Sequence, residues 1–255
     1  MYLFAFMDNV LCLNTTGSTN DDAFQLALNG EKHGFGVLAD SQLKGKGRLG
    51  KDWTSPVGTG LYCSIILRPG LPFPEFPKLT LTAGLAVCST VEKLLPQISF
   101  GLKWPNDLYC GLKKCGGILV ESSSLNCQEE ESFVIVGIGL NVNTALTQFP
   151  LELQQKATSL SILSGKFHNI HTLYQLIHSS LLDHLRIHKK KGFLHIRQEW
   201  SKRDILFGKE MQWLTRDRKV ITACGMGLDE NGQLRVKDSN GRIHEILSGD
   251  VQLAR

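Results

Sequence analysis

The chain has 255 residues, enough for one large domain or for a mid-sized domain with a small second one. Its 42% hydrophobic and 20% charged residues give an ordinary globular composition, and no apolar run approaches the roughly 20 residues that cross a bilayer. The net charge of +4 suits an anionic ligand and is too small to argue for nucleic acid.

Residues 2–6 and 10–13 are short strand candidates, and the first of them lacks the basic start and cleavage site of a signal peptide. Thr16-Gly17-Ser18-Thr19-Asn20-Asp21 follows, and then Ala23, Phe24, Leu26, Ala27 and Leu28 recur at helical spacing up to Gly30. Ser18 or Thr19 is expected to cap that helix; the other reading turns their hydroxyls toward a ligand. Residues 35–39 and 61–67 read as strands. The loop between them is roughly 20 residues long, a length that in a compact domain is usually functional or disordered. Within it lies Lys44-Gly45-Lys46-Gly47-Arg48-Leu49-Gly50-Lys51-Asp52-Trp53. Gly45, Gly47 and Gly50 are expected to allow positive φ and close approach to a ligand. Lys44, Lys46, Arg48 and Lys51 add cationic heads suited to phosphate, and Trp53 adds a flat face on which a purine can stack. Taken alone, the segment also reads as a solvated basic loop.

Residues 77–95 carry an amphipathic helix that ends at Pro96. Strands are expected over 98–104, 115–121 and 133–142, with the acidic stretch 126–131 as a hairpin tip. The seven cysteines are odd in number and scattered through apolar runs, which reads as reduced thiols in a cytoplasmic protein. Cys110 and Cys115 have no second pair or nearby histidine, so no metal site is expected of them. Residues 169–190 form a long amphipathic helix ending in three lysines and Gly192. His184 and His188 stand at ligand spacing, but no carboxylate or cysteine joins them, and both are expected on the exposed face. A boundary is expected near 203–207. Beyond it, 210–213, 219–225, 233–236 and 242–247 are short alternating strands, with hairpin turns at 229–232 and 238–241. The expected domains are 1–206 and a small antiparallel barrel at 207–255.

A carboxylate attacking a nucleotide α-phosphate needs cations that offset the charge of both anions. Arg48 and Lys114 are the candidates. Asp107 suits a metal or an incoming amine, and Asn106, Asn141 and Asn143 offer groups for a base or ribose edge. Gly116 and Gly117 would let a strand lie against a slender ligand.

The runs Ser18-Thr19-Asn20, Gln42 with the glycine loop, Lys103-Trp104-Pro105-Asn106-Asp107, Lys114 with Gly117-Ile118-Leu119-Val120-Glu121, and Gly137-Ile138-Gly139-Leu140-Asn141 resemble those of biotin–protein ligases in order and spacing. The resemblance extends from about residue 15 to the C-terminus. It implies an α+β fold: a central mixed β-sheet with flanking helices, of the class II synthetase-like kind, plus an SH3-like barrel. It also implies that biotin and ATP, the latter with Mg2+, give biotinyl-5′-AMP, and that the biotinyl group passes to a lysine of a biotin carboxyl carrier protein, as in acetyl-CoA carboxylase. On matching positions Lys114, Arg48 and Asp107 are catalytic. Ser18, Thr19, Asn20, Gln42, Gly45, Lys46, Gly47, Lys114 and Gly117 bind biotin. Arg48, Lys51, Trp53, Asn106 and Asn141 bind ATP. No resident metal, nucleic acid or membrane partner is implied, and the chain is expected to be a monomer or homodimer.

Lysine at 46 and 51 departs from the family's arginines, keeping the charge but losing the planar fork. The first motif arrives at Ser18, which leaves no room for a helix-turn-helix reader, so a biotin-sensing repressor is not expected. Two alternatives are a lipoate or octanoate ligase of the same fold and a nucleic-acid-binding module. The second would require aromatic residues interleaved with the basic ones, and Trp53 is the single aromatic of the loop.

Overall fold

Eight strands form the central sheet of the computed structural model, which describes residues 5–7, 9–123, 132–215, 217 and 219–246. They are β1 (Ala5–Met7), β2 (Val10–Thr16), β3 (Gly36–Gln42), β4 (Gly60–Leu67), β5 (Phe100–Lys103), β6 (Asp107–Cys110), β7 (Lys113–Ser122) and β8 (Val134–Asn141). Their spatial order is β1-β2-β3-β4-β8-β7-β6-β5. β2 and β3 are parallel, joined through helix α1 (Thr19–Leu28), and the other pairs are antiparallel, so the sheet is mixed as expected. The expected hairpin tip at 126–131, Cys127, residues 2–4 and Leu247 lie outside the described residues.

β4 and β8 are apolar on both faces because both faces are covered. Ile65, Leu67, Val134 and Val136 belong to the large core shared with α2 (Leu79–Leu94), α4 (Ile170–Lys191) and α5 (Phe193–Ser201). Val37, Ile66 and Ile135 point the other way, to Ala23 and Ala27 of α1. Slipping this register by one residue would exchange the two sets, so the pairings Ile65–Val136 and Ile66–Ile135 are strongly specified.

Several elements were not evident in the sequence. β6 is four residues long and carries no sustained alternation. It makes Lys103-Trp104-Pro105-Asn106-Asp107 the turn of a β5–β6 hairpin, with a cis Trp104–Pro105 bond. A one-turn helix α3 (Leu160–Ser164) follows the sheet, capped by Ser159. α5 begins directly after Gly192 and buries Phe193, Ile196 and Trp200. It is tied back to α2 by Arg203, whose Nε and Nη2 donate to the Glu92 carboxylate at 3.0 and 2.8 Å.

The expected exposure of the two α4 histidines is corrected. His188 is 2% exposed, with Nδ1 3.0 Å from Thr82 Oγ1 and Nε2 3.1 Å from Glu75 Oε2, while His184 is half-buried against the Ser180 carbonyl. The apolar stripe through Leu181 and Leu185 continues one turn further than its hydrophobic residues do, and Thr82 and Glu75 supply the polar partners that admit an imidazole. Burial pushes the His188 pKa down, and the Glu75 carboxylate opposes that shift without reversing it. The unfolded chain therefore takes up a proton first. His188 contributes stability that is full above about pH 6.5 and is lost as pH falls through its lowered folded value. Urea unfolding at about pH 7.5 and pH 5.5 should show the loss, and His188→Gln should lose less. An equal loss in the variant would exclude His188 as its source.

Beyond Asp204 the chain forms β9 (Glu210–Leu214), β10 (Val220–Leu228), β11 (Leu234–Asp238) and β12 (Ile243–Glu245), ordered β12-β11-β10-β9. A bridge between Thr215 and Ile246 joins the two edge strands and closes the sheet into the expected small barrel. The side chains of Asp229 and Asp238 accept backbone N–H groups within their own turns at 2.8–3.0 Å, forming the two hairpins. The barrel interior is continuous with the large core, and Trp104 Nε1 donates to the carbonyl of Gly232 in the first of these turns at 3.0 Å.

Candidate active site

Gly117 on β7 and Gly137 and Gly139 on β8 clear a strip of the sheet on its α1 side, and a cavity of about 200 Å³ opens over it. The clearance is used on both sides. A Cβ on Gly137 would stand 2.1 Å from Asn20 Oδ1, and one on Gly139 would stand 2.5 Å from the Trp53 ring.

One end of the cavity is polar and dominated by uncharged groups. Thr19 donates from both its N–H and its hydroxyl to Gln42 Oε1, at 2.9 and 3.1 Å. Ser64 Oγ lies 2.8 Å from Thr19 Oγ1 and 2.6 Å from Asn20 Oδ1, and Asn20 Nδ2 donates to Glu121 at 2.6 Å. Ser18, Thr19 and Asn20 are all buried. Ser18 holds the N-cap position of α1 but makes no side-chain cap bond, so the expected cap is not formed. Asp21 and Asp22 complement the helix dipole instead, and the Ser18 hydroxyl lines the cavity. Ser64 was not singled out from the sequence, where a lone serine inside the apolar run 61–67 was the available signal, and Glu121 was quoted only as the end of a motif, without a role.

The other end is charged. Lys114 Nζ lies 2.6 Å from Asp107 Oδ1, with the two side chains 33% and 21% exposed. A register shift between Leu108 and Tyr109 sets Asp107 opposite Gly117 and Tyr109 opposite Lys114. Asn106 clamps the turn onto β7: its carbonyl accepts from Ile118 N at 2.9 Å, and its Nδ2 donates to Ile118 O at 2.8 Å. Arg48 reaches the same turn, with Nη1 3.4 Å from Asn106 Oδ1. Burial pushes the Arg48 pKa down and Asp107 opposes it; a guanidinium stays charged regardless. Burial, then Asp107, pushes the Tyr109 phenol up to about 12.

The glycine loop closes over the strip as a small hairpin, with Gly47 N bonded to Lys51 O and Trp53 N bonded to Gly45 O. Of its glycines, Gly50 alone has positive φ, and it is joined there by Leu49 at φ 56°. Gly45 and Gly47 serve close packing instead, since a Cβ on Gly45 would meet the Trp53 carbonyl oxygen at 2.4 Å. The Lys46 ammonium is paired with Asp21, and that bond raises its pKa. Lys46, Gly47, Arg48 and Lys51 line the cavity, whereas Gly45 stands behind it. Trp53 lies across Gly117 and Gly139 with Lys114 Nζ 5.5 Å from its ring, and its buried Nε1 has no hydrogen-bond partner among the described residues. Asn141 and Asn143 are not brought to the lining. Asn141 is buried and donates to Thr158 O at 3.0 Å, and Asn143 exchanges two 2.9 Å bonds with the His168 backbone.

A family model for the biotin/lipoate A/B protein ligases matches residues 13–141, half of the chain, which hold α1, the glycine loop, the β5–β6 turn and the glycine strip. The chain belongs to the biotin/lipoate A/B protein ligase family. Among relatives, it is 35% identical over 236 residues to the bifunctional ligase/repressor BirA of Bacillus subtilis, covering 92% of this chain and 71% of that one. It is 30% identical to the biotin–[acetyl-CoA-carboxylase] ligase of Mycobacterium tuberculosis over 92% of this chain and 85% of that protein. Its fold superposes on the Aquifex aeolicus biotin protein ligase, solved in complex with biotin and ATP, with a TM-score of 0.81 and 32% identity, covering 98% of this chain and 100% of that one.

Proposed function

We propose that the chain activates biotin with ATP and transfers the biotinyl group to a lysine of a biotin carboxyl carrier protein, of the acetyl-CoA carboxylase kind. The observation that carries this reading is the polarity of the cavity. Neutral hydrogen-bonding groups at one end suit an uncharged, polar ring system, and Lys114 and Arg48 at the other suit a carboxylate meeting a phosphate.

In the first step a carboxylate oxygen of biotin bonds to the α-phosphorus of ATP and pyrophosphate leaves. Two anions must approach, so the cations at positions 114 and 48 lower the barrier by lying where negative charge collects. Mg2+ enters with ATP as part of that substrate. In the second step the carrier's amine attacks the biotinyl carbonyl carbon, AMP leaves, and an amide forms. Asp107 sits beside Lys114 at the charged end, where it can orient that amine and take its proton. Ser18, Thr19, Asn20 and Gln42 hold the ring, Gly117 admits it, and Trp53 and Lys51 lie toward the nucleotide. Pyrophosphate exchange into ATP, run separately with biotin, lipoate and octanoate, tests the assignment. Exchange that required lipoate and ignored biotin would overturn it.

We assign residues 1–206 to a catalytic unit and 207–255 to an accessory barrel. Removing 208–255 is then expected to leave a protein that binds biotin and modifies carrier poorly, read by calorimetry and by carrier labelling. Full labelling would show the barrel to be dispensable. Among the described residues no helix is long and apolar enough to cross a membrane, and a cytoplasmic site of action fits the six free cysteines described.

A further inference from the structure

We infer that the barrel positions the active-site turn through the hydrogen bond from Trp104 to Gly232, which makes Trp104 a positioning residue for adenylate formation. The inference rests on the ligase reading above.

The Trp104 indole is 5% exposed, and its Nε1 reaches across to the barrel to donate to the Gly232 carbonyl at 3.0 Å. That carbonyl is itself closely confined. Gly232 adopts φ +77°, and a Cβ there would stand 2.8 Å from Leu81 and 3.2 Å from the Phe193 ring, so the turn is seated against the catalytic unit. Only glycine satisfies both the dihedral and the space. A buried indole N–H without a partner is costly, so the bond selects one placement of the turn and of the indole together.

Trp104 lies two residues before Asn106 and three before Asp107. Asn106 is locked to Ile118 by two bonds and receives Arg48, and Asp107 pairs with Lys114. A hairpin turn this short transmits displacement at one residue to its neighbours. Releasing Trp104 therefore loosens the charged end of the cavity. The neutral end, built on α1 and Gln42, has no bond to the turn among those described.

The test compares Trp104→Phe with Trp213→Phe in the full chain. Trp213 is also buried and also donates its Nε1 to a backbone carbonyl, that of Ala223 at 2.7 Å, but this bond lies inside the barrel. Both substitutions remove one indole–carbonyl bond and a similar volume. Expected for Trp104→Phe is a fall of about tenfold in kcat/KM for ATP in biotin-dependent pyrophosphate exchange, with biotin stoichiometry and Kd held to within about twofold. Trp213→Phe should keep its exchange rate per biotin site. Misfolding would instead lower the number of biotin sites, which the titration counts. Equal exchange per site in the two variants would overturn the inference. A second readout needs no turnover: the Ile118 amide, bonded to Asn106 O, should exchange its hydrogen faster in Trp104→Phe than in Trp213→Phe. Equal protection overturns the inference as well. If the wild type shows no biotin-dependent exchange, the ligase reading fails and the amide measurement decides the positioning role alone.

Discussion

Replacing Lys114 with alanine is expected to remove detectable adenylate formation while leaving a folded protein. In the proposed first step Lys114 Nζ bonds both a carboxylate and a phosphate, and each charge-assisted hydrogen bond is worth about 1.5–3 kcal/mol. Losing two raises the barrier by about 3–6 kcal/mol, roughly a 10²- to 10⁴-fold loss of rate. Stability should change little. The Lys114–Asp107 pair is a third and a fifth exposed, so solvent screens it, and pairs of this kind contribute at most about 1 kcal/mol. Pyrophosphate exchange separates the two effects from a melting curve taken on the same sample. Exchange within about twofold of wild type would remove Lys114 from the first step.

Gly137→Ala is expected to damage the opposite end of the cavity. The new methyl group would stand 2.1 Å from Asn20 Oδ1 and 2.9 Å from its Cγ. Asn20 cannot step aside cheaply. It is 4% exposed, its amide is bonded to Glu121 and its carbonyl oxygen to Ser64, each at 2.6 Å, and Ser64 in turn contacts Thr19. Overpacking of this kind costs about 1–3 kcal/mol of stability. Because the displaced groups face the cavity, biotin affinity should fall about tenfold to a hundredfold. Gly139→Ala makes a useful contrast, since its methyl group would meet the Trp53 ring. That ring is carried on the glycine loop, so the loop should shift while the neutral end stays intact. Calorimetric titration of both variants with biotin distinguishes them. Wild-type affinity in Gly137→Ala would mean that Asn20 and its neighbours do not contact the ligand.

The sequence by itself determined what depends on neighbours along the chain. Short apolar runs marked β3, β4, β7 and β8, the 3.6-residue stripe marked α2 and α4, and the Asp-x-Asn-Gly runs marked both barrel turns, because strand, helix and turn preferences are local. The glycine loop and the Lys-Trp-Pro-Asn-Asp run were legible as candidate site segments for the same reason, their chemistry lying in adjacent residues, and the fold brings both to one cavity. What the sequence misplaced depends on contacts across the fold. His188 read as an exposed lysine-rich helix end, and it is buried because Glu75 and Thr82, more than a hundred residues earlier, complete its hydrogen bonds. Ser18 read as a cap, yet its hydroxyl lines the cavity that the sheet opens beside α1. Asn141 shares a motif and a sheet face with Gly139, but it stands at the end of β8, where its side chain donates to Thr158 O instead of lining the cavity. The partners of Ser64 and Glu121 and the bond from Trp104 to Gly232 carried no local signal. They were decided by tertiary structure alone, since a buried polar atom must find its partner wherever the packed chain places one.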